Sequence, residues 1–74
     1  MDILEIELGK ISPNLRIIYS AECIEDIVRH IKLHGQVEPI RISFHQDSFK
    51  IMDGEKRWRA CRKIGLGRIR AVVV

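Results

Sequence analysis

The hydrophobic residues of this chain change their spacing along the sequence, from every second residue to every third or fourth residue and back again. Period two is typical of a strand with one buried face, and a period near 3.6 is typical of a helix with one buried face. The changes predict the order strand, helix, strand, strand, helix, strand. A chain of 74 residues has room for one small core. We therefore predict a single α+β domain over residues 1–74, with a small mixed sheet and two main helices.

The strand patterns lie at both ends and in the middle of the chain. Residues 2–8 alternate apolar and acidic side chains, which predicts a half-buried strand. Residues 39–52 predict a hairpin whose polar turn covers residues 45–48. Residues 69–74 predict the last strand, and their continuous apolar run from Ala71 to Val74 predicts burial on both faces.

The two helix patterns have recognisable ends. The first covers residues 21–34, with Ser20 as a suitable N-cap and Gly35 as the C-terminal stop. The second covers residues 55–64 and stops at Gly65. One apolar stripe of the first helix would face the core; it consists of Ile24, Ile27, Val28 and Ile31.

Positive charge is concentrated in residues 55–70. This segment contains seven basic residues and one acid, a net charge of +6, whereas residues 1–54 carry a net charge of −3. Such an asymmetry favours an anionic partner: a nucleotide phosphate, a nucleic-acid backbone or an acidic protein surface. A solvated helix face is the alternative interpretation.

The sequence also indicates the compartment. No apolar run approaches the roughly 18 residues that a membrane helix needs. The two cysteines, Cys23 and Cys61, are too few for a disulfide scaffold. We therefore expect a cytoplasmic protein without a membrane partner.

A glycine joins the end of the predicted hairpin to the start of the cationic helix. Gly54 would let the backbone approach a ligand closely, and the N–H groups at a helix start favour an anion. Arg57 offers a planar fork that suits a phosphate, and Lys56 adds a point charge. The segment predicts a phosphate site; a glycine turn beside surface cations is the alternative.

The same segment is similar to a family motif. Residues 54–60 read Gly-Glu-Lys-Arg-Trp-Arg-Ala, close to a Gly-Glu-Arg-Arg motif followed by an aromatic or other residue, arginine and alanine. Residues 34–40 fit the family's upstream His-Gly and Pro-Ile pattern, and the Pro13-Asn14 turn and Arg16 fit as well. The chain resembles the N-terminal domain of the ParB family, in the ParB/sulfiredoxin superfamily, over essentially all of its length.

The resemblance implies a module that binds CTP or another nucleotide, with or without Mg²⁺, and that is linked to DNA partition or plasmid maintenance. Glu55 is the candidate catalytic residue, as a general base or a magnesium ligand; the alternative is that it interacts only with the helix dipole. Nucleotide hydrolysis stays open. Carried over onto this sequence, the nucleotide-binding residues are Gly54, Glu55, Lys56, Arg57, Arg59, Arg16, Gly35 and Pro39.

Two departures from the family patterns change these expectations. Sulfiredoxins carry their reactive cysteine in the corresponding loop, where this chain has Glu55, so sulfiredoxin activity is not expected. Lys56 stands where ParB proteins have arginine, which keeps the charge and loses bidentate geometry. The helix-turn-helix that reads DNA in ParB proteins is expected outside these 74 residues.

Two other functions remain open. The first is sequence-independent nucleic-acid binding or a weak nuclease activity through the basic 55–70 face. The second is an interaction domain without catalysis, a homodimer formed by Trp58 and the C-terminal valines. Trp58 is also a candidate for base stacking or for the core, and Cys61 is predicted to be a core residue. His30 and His34 lie four residues apart without the carboxylate of a zinc motif, so no metal site is predicted.

Overall fold

The computed structural model describes residues 2–13, 18–36 and 38–74. Three residues with sequence predictions lie outside the described residues. They are Asn14 of the Pro13-Asn14 turn, the candidate nucleotide-binding Arg16, and Val37 of the 34–40 pattern. The helices are α1 (Ala21–His34) and α2 (Glu55–Ile64). The strands are β1 (Leu4–Glu7), β2 (Ile11–Ser12), β3 (Ile40–His45), β4 (Ser48–Asp53) and β5 (Arg68–Val73).

The five strands form one mixed sheet in the order β1-β5-β3-β4-β2. β5 is antiparallel to β1 and parallel to β3, and β4 is antiparallel to β3 and parallel to β2. The β3–β4 hairpin turns at Gln46 and Asp47, which both have positive φ. The predicted α+β fold, with a small mixed sheet and two helices, is confirmed.

Both helices contribute to one core against one face of the sheet. Side chains alternate between the two faces along each strand. The face away from the core carries charged side chains from β1 and β5. On that face Glu5 lies opposite Arg70 and Glu7 lies opposite Arg68 across the β1–β5 pair. Opposite charges at such positions favour this register. The most deeply buried large side chains of the core are Ile40, Ile42, Ile69 and Cys61.

Helix α1 follows its sequence signals closely. The N–H of Cys23 donates to Ser20 Oγ at 3.2 Å, so the predicted N-cap forms. Gly35 ends the helix at φ +75°, and its N–H donates to the Ile31 carbonyl at 2.7 Å. The predicted bounds of 21–34 are confirmed.

The first and last strands differ from their predicted extents. β1 ends at Glu7, because Leu8 begins a short 3-10 helix and its N–H donates to the Gly67 carbonyl at 3.0 Å. The two-residue strand β2 then follows, which the sequence pattern does not reveal. The prediction of burial on both faces is wrong for the end of β5: Val73 and Val74 are 38% and 47% exposed. The pairing with β1 ends before these two residues, so part of their surface stays open.

The side chain of Gln36 connects the loop after α1 to the sheet. Its Oε1 accepts the Arg70 N–H at 2.7 Å, and its Nε2 donates to the Arg70 carbonyl at 2.9 Å. The Arg70 guanidinium also donates to the Gln36 carbonyl at 3.1 Å. The amide group thus takes the place that a strand backbone would occupy beside β5, and it fixes the loop that leads into β3.

Gly54 allows α2 to start directly against β3. Its backbone has φ +99°, a conformation that residues with a side chain rarely adopt. A Cβ at this position would lie 2.6 Å from Ile40 Cγ2 and 2.9 Å from Ile40 Cβ. Ile40 is completely buried and lies in the middle of the core, so it cannot easily move away.

We expect Gly54→Ala to lower the free energy of unfolding by about 2–4 kcal/mol, because strain at positive φ adds to overpacking against Ile40. Urea denaturation followed by circular dichroism measures the change. Gly67→Ala is the matched control, since a Cβ there meets open space at an ordinary φ. An equal effect of the two substitutions would contradict this account of Gly54.

Helices α1 and α2 are joined at the surface by an ion pair between Glu25 and Lys63. The hydrogen bond from Lys63, and then its charge, hold the pKa of Glu25 below its ordinary value of 4.5. A carboxylate with a lowered pKa in the folded state stabilises the fold at neutral pH. That contribution is lost as the pH falls below about 4.5 and through the lower folded value.

We therefore expect Glu25→Gln to be slightly less stable than the native chain near neutral pH and equally stable in acid. Thermal unfolding between about pH 7 and pH 3 tests this convergence. Glu22→Gln, in the first turn of the same helix, controls for the loss of one carboxylate. A difference in stability between the native chain and Glu25→Gln that does not change with pH would rule out the ion pair as the cause of that difference.

Candidate functional site

A cavity of about 710 Å³ opens between α1, the loop that follows α1 and the start of α2. It combines apolar side chains with charged groups of both signs, as small-molecule sites commonly do. Its described lining residues are Tyr19, Asp26, Ile27, His30, Ile31, Gln36, Glu38, Asp53, Gly54, Glu55, Lys56 and Arg57.

The start of α2 presents backbone donors to this cavity. The first N–H that bonds back into the turn belongs to Trp58, which donates to the Gly54 carbonyl at 3.1 Å. The N–H groups of Lys56 and Arg57 precede that bond in the first turn of the helix. Gly54 has no side chain with which to cap them. These donors and the helix dipole favour an anion at this end of the cavity.

Two cations accompany the backbone donors. Lys56 is exposed, and its ammonium lies 5.2 Å from the centre of the Tyr19 ring. Arg57 is partly buried, with 34% of its side chain exposed, and its guanidinium donates to Glu38 Oε2 at 2.7 Å. The two cations lie at the cavity wall, although Arg57 already contacts a carboxylate of the protein.

Glu55 is buried, with only 6% of its side chain exposed. Its Oε2 accepts a hydrogen bond from Arg59 Nε at 3.1 Å, one helical turn further along α2. A buried carboxylate needs such a partner to offset its lost hydration. The Arg59 guanidinium also lies 5.1 Å from the centre of the Tyr19 ring. Glu55 therefore holds Arg59 in place, and its catalytic role stays a prediction.

Acidic side chains outnumber basic ones around the cavity, but most of them are in ion pairs. Asp26 pairs with Arg29 on α1. The glutamates pair with Arg57 and Arg59, as described above. Much of the negative charge of the lining is thus compensated by arginines. The acids of the lining are Asp26, Glu38, Asp53 and Glu55.

The structure brings together only part of the set that the sequence predicts. The run from Gly54 to Arg57 lines the cavity, whereas Arg59 is not among its described lining residues and contacts Glu55. Gly35 and Pro39 are not among the described lining residues; their neighbours Gln36 and Glu38 are. Arg16 lies outside the described residues. Nucleotide binding by any of these residues stays a prediction.

Sequence reasoning missed the contribution of α1 to the cavity wall. Asp26 and His30 lie four residues apart, on the flank of the apolar stripe. This spacing shows that they share a side of the helix, but only the packing of α1 beside α2 shows that this side faces the cavity. His30 also contacts the His34 ring at 4.8 Å. Within residues 2–13, 18–36 and 38–74, no three potential metal-ligating side chains come together.

Two side chains of α2 lie in the core, which confirms the prediction for Cys61 and corrects the hypothesis that Trp58 forms a dimer surface. Cys61 is completely buried, and burial raises the pKa of its thiol. Trp58 is only 5% exposed, so its ring belongs to the core of the protomer and not to a dimer surface or a base-stacking platform. A homodimer through Val73 and Val74 stays a prediction.

The basic residues of the 55–70 segment do not form one face, contrary to the prediction. Five of them lie on α2, and of these only Lys56 and Arg57 are among the described lining residues of the cavity. Arg68 and Arg70 lie on β5, where they alternate with the buried Ile69 and Ala71. Their side chains therefore start on the sheet face that the helices do not cover.

Comparison with known proteins agrees with the fold. The sequence model of the family described as ParB N-terminal domain matches residues 1–74. The nucleoid occlusion protein of Geobacillus sp. (strain WCH70) is 37% identical over 97% of this chain. The match spans only 27% of that relative's length. In the described residues, no helix is long and apolar enough to cross a membrane.

Solved structures show the same architecture. The C-terminally truncated chromosome-partitioning protein ParB of Caulobacter crescentus, complexed with CTP-γ-S, matches with a TM-score of 0.88 and 25% identity. That match covers all of this chain and 44% of the crystallised one. A second structure of the truncated Caulobacter protein, complexed to the centromeric parS site, matches with a TM-score of 0.85 and 27% identity. That match covers 96% of this chain and 40% of the crystallised one.

The fold is also that of sulfiredoxin. The enzyme from Arabidopsis thaliana superposes with a TM-score of 0.90 at 24% identity, over all of this chain and 85% of the other. This likeness concerns the backbone alone. The sequence-family match over residues 1–74, together with the shared architecture, identifies the family: the chain belongs to the ParB N-terminal domain family.

Proposed function

We propose that residues 1–74 act as one nucleotide-binding domain of the ParB type, with the phosphates at the start of α2. The observation that carries this proposal is the start of α2 after Gly54, with Lys56 and Arg57 beside it at the wall of a cavity of about 710 Å³. An anion there gains from the helix dipole, from hydrogen bonds and from two cations at once. The cavity has space for the sugar and base as well.

CTP is the proposed nucleotide, because the Caulobacter ParB with this fold was crystallised with CTP-γ-S. Magnesium fits the donor set as a companion of the phosphates. Mg²⁺ is commonly held by phosphate oxygens, waters and one or two carboxylates, and Asp53 offers a carboxylate at the cavity. Bound there, the ion would supply charge compensation between the phosphates and the acidic lining.

The proposed setting is a chromosome-partition or nucleoid-occlusion protein of the cytoplasm, as the curated and solved relatives indicate. DNA is a proposed partner of that larger system, since the Caulobacter relative was crystallised on parS. Direct DNA binding by residues 55–70 is a weaker proposal, because their basic side chains are divided between α2 and β5. Sulfiredoxin chemistry is not proposed, because residues 53–57 contain no cysteine and Cys61 is buried.

We expect CTP to bind at one site, and Arg57→Ala to weaken binding about 10- to 100-fold, the loss expected for charged hydrogen bonds. Titration of the chain with CTP, ATP and GTP, followed by calorimetry and by amide NMR shifts, measures both. The shifts should concentrate at Gly54 and at the first turn of α2.

The matched control is Arg68→Ala, which removes the same charge from an exposed side chain on the uncovered face of the sheet. It should change CTP affinity less than twofold. If no nucleotide shifts the resonances of Gly54 or Arg57, or if both alanine variants lose affinity equally, the proposed site is wrong.

A further inference from the structure

One ion pair at the cavity involves a guanidinium that the proposed function needs. Glu38 Oε2 lies 2.7 Å from the terminal nitrogen of Arg57, although the two residues are 19 positions apart and belong to different elements. The Glu38 side chain is 70% exposed and that of Arg57 is 34% exposed. The Glu38 carboxylate thus contacts Arg57, and its exposure also allows it to rotate into solvent.

The loop holds Glu38 at this position. Pro39 follows it, which restricts the backbone of Glu38 to extended conformations. Gln36 Nε2 donates to the Glu38 carbonyl at 2.9 Å, and the same amide is bonded to the backbone of Arg70 in β5. The carboxylate therefore starts from a backbone that is tied to the sheet. This restraint on the backbone limits the positions that the Glu38 carboxylate can reach, and it favours the contact with Arg57.

We propose that Glu38 is an internal competitor of the nucleotide phosphate for Arg57 and that it lowers the phosphate affinity of the site. This inference rests on the proposed function. In the ligand-free chain the Glu38 carboxylate accepts a hydrogen bond from one terminal nitrogen of Arg57. A phosphate group that binds this nitrogen displaces the carboxylate, and Glu38 then moves into solvent, which its exposure allows.

The competition has a specific consequence for different ligands. A ligand that needs the terminal nitrogen of Arg57 binds only the fraction of molecules in which Glu38 has released it, so its apparent affinity is the intrinsic affinity multiplied by that fraction. A nucleoside has no phosphate and does not compete with Glu38. Removal of the Glu38 charge should therefore increase the affinity for CTP and leave the affinity for cytidine unchanged.

The test is Glu38→Gln, which keeps the size of the side chain and removes its charge. We expect this variant to bind CTP about two- to fivefold more tightly than the native chain, the range that corresponds to an exposed ion pair. The gain should shrink as salt is added, because salt screens exposed charges. Calorimetry with CTP and NMR titration with cytidine measure the two affinities.

Two further variants separate this competition from a general charge effect. Asp47→Asn removes one negative charge at the turn of the β3–β4 hairpin, outside the cavity lining, and asparagine tolerates the positive φ found there. It should leave CTP affinity unchanged. In an Arg57→Ala background the gain from Glu38→Gln should disappear, because the group for which the two anions compete is absent.

Each outcome decides the inference. Tighter CTP binding by Glu38→Gln that depends on Arg57 supports it. If the native chain binds CTP through Arg57 and Glu38→Gln binds no better, the competition is wrong and the proposed function stands. A gain that persists without Arg57 also overturns the competition, because simple repulsion of the phosphate then explains it. If neither the native chain nor Glu38→Gln binds CTP, the proposed function fails and the inference fails with it.

Discussion

The contact between Gly54 and Ile40 determines where α2 begins. Strand β4 ends at Asp53, and the backbone then turns through a left-handed glycine that touches the buried Ile40 side chain. Any other residue would push the helix start away from the sheet. Because α2 begins at this point, its first turn and its first cations lie at the cavity, while Trp58 and Cys61 on its inner side reach the core. One steric requirement thus fixes both packing and the candidate site.

The charges around the site are arranged mainly as pairs within the protein. Glu55 is buried with Arg59, and Glu38 contacts Arg57 at the surface. The two pairs differ in what a ligand can do to them. Separation of the buried pair would leave a carboxylate without compensation, which is costly. Separation of the exposed pair releases a carboxylate into water at little cost. The structure therefore combines a fixed ion pair that supports α2 with an exchangeable one at the cavity.

Local signals in the sequence predict much of the fold. Ser20, the apolar stripe and Gly35 define α1 because capping and helical periodicity act over a few residues. The alternating pattern likewise predicts the hairpin of β3 and β4. The strand pattern extends wrongly to Leu8, because a buried leucine fits a strand and a 3-10 helix equally well. β2 has only two residues, which is too short to show a period.

The site is less predictable because its decisive contacts are distant in sequence. The motif at residues 54–57 predicts a phosphate site at the start of α2, but nothing local indicates that Glu38 contacts Arg57 or that the Gln36 amide bonds to Arg70. Both contacts depend on the parallel pairing of β3 with β5, which places the loop before β3 beside β5 and α2. The same backbone architecture occurs in a sulfiredoxin that is 24% identical to this chain. The fold therefore provides the helix start, and the side chains of this particular chain, among them Gln36, Glu38 and Lys56, give the cavity wall its chemistry.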